Sequence, residues 1–407
     1  MVDFLPVLLG TDLNVYGMAR AFYEEYDIKS LAIGELQLMP TKNSAIVNTK
    51  IIKNFSQTDV FLAGLKKIAA EFKSKFSKLL LIACGDTYVK LVINNKKSLQ
   101  QDFVVPYIDA EIFERLAEKE AFYSTCKEYG SDFPKTFIIS KQNKDSIDLP
   151  FLFPVALKPS NSMKWLNCSF SGKKKAFIIK DRKEFDAIIN KVYNSSYTNN
   201  MIVQEFIPGD DTNMRVLNCY VGKDNKVKLM CLGQPLLEDK APGTVGNYLA
   251  IVNSYNEEIC LKIKDFLEKL NYTGFANFDM KYDARDGKFK LFEINLRQGR
   301  SSYFVTGSGY NLAKYVVEDW ILDHDLDFCI ADYEHLWLGF PKHLLFKCLS
   351  EEHIEYVKSL IKQKKVCTTL FYKKDRNIKK FLNDIRFFAT YYRTFKKYFR
   401  TNGRKYK

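Results

Sequence analysis

The sequence predicts an α/β protein: strands and helices alternate in the first quarter, paired strands build an α+β middle, and a basic amphipathic helix closes the chain. Three observations predict it. Apolar runs at 4–9, 79–86 and 103–109 are separated by helical stretches, the pattern of a parallel sheet covered by helices. The stretch 275–302 reads as two strands joined by a turn at 283–287. Between 378 and 399, apolar residues recur three and four apart.

At 407 residues, 46% hydrophobic and 27% charged, the composition is that of a globular protein with material for about two or three domains. No apolar run approaches membrane-spanning length, and MVDFLPVLLG lacks the basic start of a secretion signal. Nine cysteines lie scattered with no CxxC pair, which predicts reduced thiols in a cytoplasm and argues against a zinc site. His324, His335, His343 and His353 all lie late in the chain. A Ser-His-Asp or Cys-His arrangement in the first three quarters is therefore excluded unless the late segment folds back onto it. The net charge of +14 is uneven: 371–407 holds 13 Lys/Arg against 2 Asp/Glu, or +11, leaving +3 for the rest.

Taken in order, FLPVLL is followed by Gly10, Thr11 and Asp12 and a helical stretch over 16–26. A strand, a Gly turn and a helix N-terminus can hold a small anion, and a plain turn without ligand fits the single glycine as well. The run 111–129 reads as one helix with an apolar stripe of Ile112, Phe113, Leu116, Phe122 and Tyr123, and it carries Lys119. FPKTFIIS and FPVALKPS are strands, the second ending in Lys158 ahead of Pro159. A lysine ending an apolar strand buries its stem and needs an anion for its ammonium. NSMKWLNCSFSGKKKAFII reads as a mobile hairpin tipped by Gly172, Lys173, Lys174 and Lys175: a solvated loop by itself, a water-excluding lid above a triphosphate. MIVQEFIPGDD is a strand broken at Pro208 and Gly209. MRVLNCYV, opened by Arg215, pairs with KLMCLGQPL, a helix spans 256–270, and after the hairpin a last helix ends the main body near 330.

The hairpin concentrates the chemistry. Glu293 and Asn295, two apart on a strand, share a face, and the turn can bring Asp279 onto it. Two carboxylates and an amide oxygen suit Mg²⁺, which takes its remaining ligands from water and substrate phosphates. Arg297 and Arg300 follow at once and suit a polyphosphate. The alternative is a surface hairpin with solvated charges. Against it, Leu291, Phe292, Ile294 and Leu296 make the strand apolar on both faces, so Glu293 and Asn295 are expected to be buried.

A Lys on a helix, Lys-Pro after a strand, a flexible lid, VQEFIPG, an Arg at a strand start and D…E-x-N-x-R together resemble the ATP-grasp superfamily, whose members join a carboxylate to an amine through an acyl phosphate. The implied architecture is a Rossmann-like domain over 1–110, an ATP-grasp domain over 111–330 with its lid at about 135–205, and an extension over 331–407 carrying the basic helix. Within the superfamily, LLGTDLNVYGMAR, LLIACGD, VALKPSNS, IVQEFIPGDD, GFANFDMKYD and FEINLRQGRSS are similar to the D-aspartate ligase family of Gram-positive bacteria, over nearly the whole chain.

The resemblance implies a set of roles. Lys119 and Lys158 contact the ATP phosphates. Gln204, Glu205 and Phe206 line the adenine, with the backbone at Glu205 and Phe206 pairing with its edge, and Asp210 or Asp211 holds the ribose. Asp279, Glu293 and Asn295 hold one or two Mg²⁺. Arg215 and Arg297 stabilise the transferring phosphoryl group, and Arg300, Ser301 and Ser302 grip the amino acid, Arg300 counting among the catalytic residues. The implied donor is D-aspartate, activated at its β-carboxylate. The implied acceptor is the free lysine amine of a UDP-linked or lipid-linked muropeptide in peptidoglycan synthesis, with no nucleic-acid partner. One departure is the lid, which has Gly172 and three lysines where many ATP-grasp lids are glycine-rich.

In the last helix the apolar stripe is Ile378, Phe381, Ile385, Phe388, Tyr392, Phe395 and Phe399, with a polar face rich in Lys and Arg. It can pack on the body with its basic face in water. The composition favours binding in the interface of an anionic membrane, which places a cytoplasmic enzyme peripherally at the inner leaflet. Two rival readings differ in kind. One is a dipeptide-forming ATP-grasp ligase with another donor or acceptor. The other is a non-catalytic nucleic-acid or membrane-binding protein, whose binding is salt-dependent and indifferent to ATP.

Overall fold

The computed structural model describes residues 3–144, 147–161, 164–165 and 167–399. Strands β1 (Phe4–Leu9), β2 (Ser30–Gly34), β3 (Val47–Ile51) and β4 (Lys78–Ala83) form a parallel sheet in the order β3-β2-β1-β4. Every residue of β1 is buried, as expected of a parallel strand covered on both faces. Asp12 caps the helix Leu13–Tyr26 by accepting from the Val15 N–H. The strand expected at 103–109 reduces to a single parallel bridge between Val104 and Leu80, because Pro106 has no N–H to extend the ladder. The helix expected over 111–129 is two helices, Ala110–Ala117 and Lys119–Glu128, broken at an extended Glu118.

A second, antiparallel sheet holds β5 (Thr136–Ile139), β6 (Val155–Pro159), β7 (Phe177–Ile179) and β8 (Met201–Glu205) in the order β5-β8-β6-β7. It has its own core around Trp165, Phe185 and Tyr197. The loop from β6 to β7 is anchored on that core: Trp165 meets Tyr197 edge to face at 5.0 Å and donates its indole N–H to the Lys174 carbonyl at 3.0 Å. Residues 162, 163 and 166 of the expected lid hairpin lie outside the described residues.

The largest sheet comprises β9 (Met214–Val221), β10 (Val227–Glu238), β11 (Tyr248–Ser254), β12 (Gly274–Asp283), β13 (Lys288–Asn295), β14 (Cys329–Ile330), β15 (Leu336–Leu338) and β16 (Val366–Cys367). Its order is β13-β12-β9-β10-β11-β15-β16, with β14 beside β10. It therefore continues past residue 330 and draws two strands from the stretch expected to be a separate extension. Helix Glu257–Lys269 packs on one face, while helices Leu13–Tyr26 and Leu312–Trp320 pack on the other.

The C-terminal helix, Ile378–Thr394 followed by a wider turn over Phe395–Phe399, buries only part of its apolar stripe. Tyr391, Phe395 and Phe399 are buried, but Ile378, Phe381, Ile385 and Tyr392 face outward, Ile378 with 81% of its surface exposed. The inward face carries polar residues instead. Lys380 and Asp384 form a buried ion pair, and the Lys380 ammonium lies 4.2 Å from the centre of the Tyr16 ring. Asn383 donates to the Lys42 carbonyl at 3.1 Å. Just before the helix, buried Asp375 accepts from the Tyr16 and Ser44 hydroxyls, both at 2.8 Å, and from the Ala45 N–H. The helix is oriented by this satisfied polar seam against the N-terminal domain, because such groups would go unpaired if it turned.

Asp384→Ala would strand the Lys380 charge and should cost about 3–5 kcal/mol, whereas Lys380→Met with Asp384→Leu should be nearly neutral. Denaturant titration of the two variants checks this: an equal loss in both would show that the pair contributes through shape alone.

Candidate active site

The hairpin of β12 and β13 forms as its turn residues dictate, with Gly287 at φ +73° donating to the Asp283 carbonyl at 2.9 Å. Asp279 lies directly across from Glu293, and Asn277 from Asn295. The next pair is Met280 with Leu291, so Phe292 is an extra residue, a bulge. It lets Phe292 and Glu293 both reach the cleft between the small sheet and the β13 edge. Glu293 is accordingly not buried in apolar packing, as its flanking residues suggested; its side chain keeps 43% of its surface open.

The small-sheet side of the cleft answers with cations. The break at Glu118 starts a fresh helix on which Lys119 and Tyr123, four apart, share a face. The Lys119 ammonium stands 3.1 Å from the Glu293 carboxylate. Lys158, near the end of β6, donates to the Tyr123 hydroxyl at 3.0 Å and sits over the rings of Tyr123 and Phe292 at 5.6 and 5.7 Å. Tyr123 in turn donates to the Phe292 carbonyl at 2.7 Å. Lys119, and more weakly Lys158, holds the Glu293 carboxyl down at about 2. Asp279 moves the other way, pushed up to about 7 by burial and then by the Glu293 charge. Lys158 is pushed down to about 7 by burial and by Lys119.

Beyond the carboxylates the site runs toward the N-terminal domain. Asp279 accepts from the Tyr248 hydroxyl at 3.0 Å and from the Asn295 amide at 3.3 Å. The Asn295 carbonyl oxygen accepts from Arg297 at 3.3 Å, and Arg297 pairs with Asp86 at 2.6 Å. Arg300 lies beside Asp12 and Tyr391, its charge acting on both. Ser301 and Ser302 are buried at the start of the helix Tyr303–Gly307.

At the opposite end, the segment after β8 is pinned by Lys281, which donates to the Ile207 and Gly209 carbonyls at 3.0 and 2.8 Å and lies 5.6 Å from the Phe206 ring centre. Gln204 is buried and bonded to the Thr136 hydroxyl at 2.9 Å. Glu205 is already engaged: its N–H donates to the Lys135 carbonyl, and its carboxylate takes the Lys135 N–H and Arg285. Asp211 is held by Lys240 at 2.8 Å, while Asp210 remains on the surface.

Arg215 is the one expected catalytic residue that the fold carries elsewhere. It pairs with Met280, one step from the Val216–Asp279 pair, and so projects from the opposite face of the sheet. There it donates to the Thr212 and Met214 carbonyls, at 2.7 and 2.8 Å, and lies over Phe289 at 5.9 Å. It lines a cavity of about 670 Å³ with Tyr129, Lys262 and Tyr282. Sequence reasoning gave no site role to Tyr248, Lys281 and Asp86, read Tyr123 and Phe292 as apolar packing, and placed Asp12 only in a turn able to hold a small anion. Of these, only Tyr123 left a usable signal, its spacing of four from Lys119.

The arrangement has known counterparts. The L-amino acid ligase from Bacillus licheniformis matches with a TM-score of 0.56 and 16% identity, over 79% of this chain and 75% of that one. An N5-carboxyaminoimidazole ribonucleotide synthetase in its ADP complex matches with a TM-score of 0.60 and 10% identity, over 89% and 85%. The fold is thus that of the ATP-grasp carboxylate-amine ligases. No family model matches the chain. It is, however, 49% identical to the D-aspartate ligase of Enterococcus faecium (strain Aus0004) over 408 residues, 98% of this chain and 97% of that protein. The chain belongs to the D-aspartate ligase family, and it is an ATP-dependent carboxylate-amine ligase.

The raised Asp279 carboxyl has a consequence for the metal-free protein. The unfolded chain loses this proton near its ordinary value of 3.8, whereas the folded one keeps it to about 7, so stability falls across that window as pH rises. Asp279→Asn should therefore melt higher than the parent in chelator at pH 8, with the difference shrinking toward pH 4. A difference that does not change with pH would contradict the assignment.

Proposed function

We propose that the cleft activates the β-carboxylate of D-aspartate with ATP and joins it to the free lysine amine of a muropeptide stem, UDP-linked or lipid-linked. Membership in the D-aspartate ligase family supports the donor. The observation that carries the reading is the opposition of Lys119 and Lys158 to the coupled pair Asp279 and Glu293.

The fit of Mg²⁺ is read from the donor set. Among the described residues, no three His, Cys, Asp or Glu side chains stand together as a metal cage. Asp279, Glu293 and Asn295 offer hard oxygens, and burial and then the Glu293 charge disfavour the ionised form of Asp279, a cost that a cation held there would offset. Asp279, Glu293 and Asn295 would hold the metal, which would supply positive charge for the phosphates. Whether one ion or two are held depends on how many oxygens the nucleotide adds.

The chain's own groups do the rest. Phe206 and the backbone that Lys281 holds line the adenine end, with Gln204 behind them and Asp210 toward the ribose. Lys119 and Lys158 bind phosphate oxygens, and Lys119 exchanges its carboxylate partner for them. Arg297 reaches the transferring phosphoryl group, while Arg300 beside Asp12 binds a substrate carboxylate and Ser301 and Ser302 shape the floor beneath it. A β-carboxylate oxygen attacks the γ-phosphorus in line, and ADP leaves. The amine nitrogen then attacks the acyl carbon, phosphate leaves and the amine gives up a proton. The lid narrows the cleft, as Lys175 donates to the Val245 carbonyl at 2.7 Å. The enzyme would work in the cytoplasm against the anionic inner face of the membrane and would have no nucleic-acid partner.

Phosphate release from ATP and Mg²⁺ should require both D-aspartate and a lysine-bearing acceptor, and Glu293→Gln should lower kcat about 100-fold or more. Turnover with L-aspartate or D-alanine in place of D-aspartate would overturn the donor. A second expectation follows from Lys158, which is largely neutral at pH 8 in the free protein. A bound phosphate raises its affinity for a proton, so ADP binding should take up a proton there, an uptake that Lys158→Met abolishes. Calorimetry in two buffers of different ionisation enthalpy reads it directly.

A further inference from the structure

We infer that the outward face of the C-terminal helix is a docking surface for an anionic lipid bilayer. This deepens the membrane placement given above and stands apart from the substrate reading. Ile378, Phe381, Leu382, Ile385 and Tyr392 are all exposed and lie along one side of the helix, at spacings of three, four and, from Ile385 to Tyr392, seven. Lys379, Arg386 and Arg393, seven residues apart, run along its flank, all exposed. Among the described residues 371–399, eight Lys and Arg are exposed, while both acids, Asp375 and Asp384, are buried.

The inward turn of those acids decides the partner. Asp375 is consumed by Tyr16, Ser44 and Ala45, and Asp384 by Lys380. The surface left over is apolar and purely cationic. An apolar stripe beside a cationic flank matches the boundary of a negatively charged bilayer, where hydrocarbon and headgroup phosphates are layered a few ångströms apart. A nucleic acid would use the cations and leave the aliphatic stripe in water. The helix needs no refolding to dock, because the polar seam already holds it with this face outward. Among the described residues, no helix is long and apolar enough to cross a membrane, so the contact is interfacial.

The full-length protein should sediment with vesicles of equal parts phosphatidylglycerol and phosphatidylcholine at about 0.1 M salt, and not with pure phosphatidylcholine. Ile378→Asp with Leu382→Asp and Ile385→Asp should release it. Lys379→Gln with Arg386→Gln and Arg393→Gln should lower the partition coefficient on the order of 100-fold, at roughly tenfold or less per cation. Both triple variants should keep the parent's Tm and its ADP affinity, since none of these side chains is buried. Three results would overturn the proposal: equal binding to neutral vesicles, binding unchanged in both variants, or a dimer that the aspartate variant splits while vesicles bind neither form. Preferential capture of single-stranded DNA over anionic vesicles would do so as well. Ligase turnover with a soluble acceptor is measured separately, so failure of the substrate reading is not confused with failure of this one.

Discussion

Asp279 and Glu293 face each other across adjacent strands, two like charges that cannot both be ionised at low cost without something positive between or beside them. Much of the cleft follows from that repulsion. Lys119 is drawn onto Glu293, which holds that carboxyl ionised while its neighbour retains a proton. The two lysines raise each other's cost in turn, and Lys158, the more deeply placed, partly gives up its charge. The free site is thus an unbalanced set of charges that a metal and a polyphosphate would complete together. Bound together, a metal and a nucleotide would relieve that imbalance, which suits a reaction in which a carboxylate must approach a polyanion.

The second organising constraint is the seam between the two ends of the chain. Tyr16, Ser44 and Ala45 converge on Asp375, and Lys380 pairs with Asp384 beneath the Tyr16 ring. Burying so many polar groups is tolerable only because each has a partner, and the cost of leaving one alone fixes the orientation of the last helix. Arg300 lies beside Asp12 of the first domain and Tyr391 of that helix, so the two ends of the chain meet at Arg300. Strands β15 and β16 complete the join by entering the large sheet.

Much of this was legible from the chain alone. The Asp283 to Gly287 turn and the alternation along KLFEIN are local properties, and they were enough to set Asp279 opposite Glu293. The fold class was readable for the same reason, since hydrophobic period and turn residues act over a few positions. Lys158 could be picked out because an ammonium at the end of an apolar strand has few alternatives. The bulge at Phe292 was not legible, because an extra residue in a ladder shows only once its partner strand is known. That single residue opened Glu293 to the cleft, where composition alone had put it among apolar neighbours.

What the sequence by itself determined, then, is which residues could do the chemistry and the order in which the chain presents them: the acidic hairpin, the lysines before it, the arginines after it, and a helix with apolar and basic positions. What only the tertiary structure decided is which way they face. Arg215 belongs to the right strand but to the wrong side of it, since the register of β9 against β12 sets the face and register is a long-range property. The C-terminal helix has the periodicity the sequence shows, yet a polar seam turned inward with Tyr391, Phe395 and Phe399, while Ile378, Phe381, Ile385 and Tyr392 of the apolar stripe stayed exposed. An apolar stripe specifies only that something must cover it, whereas buried polar groups specify the neighbour, and the partners of Asp375 and Asn383 are contributed by residues more than three hundred positions away.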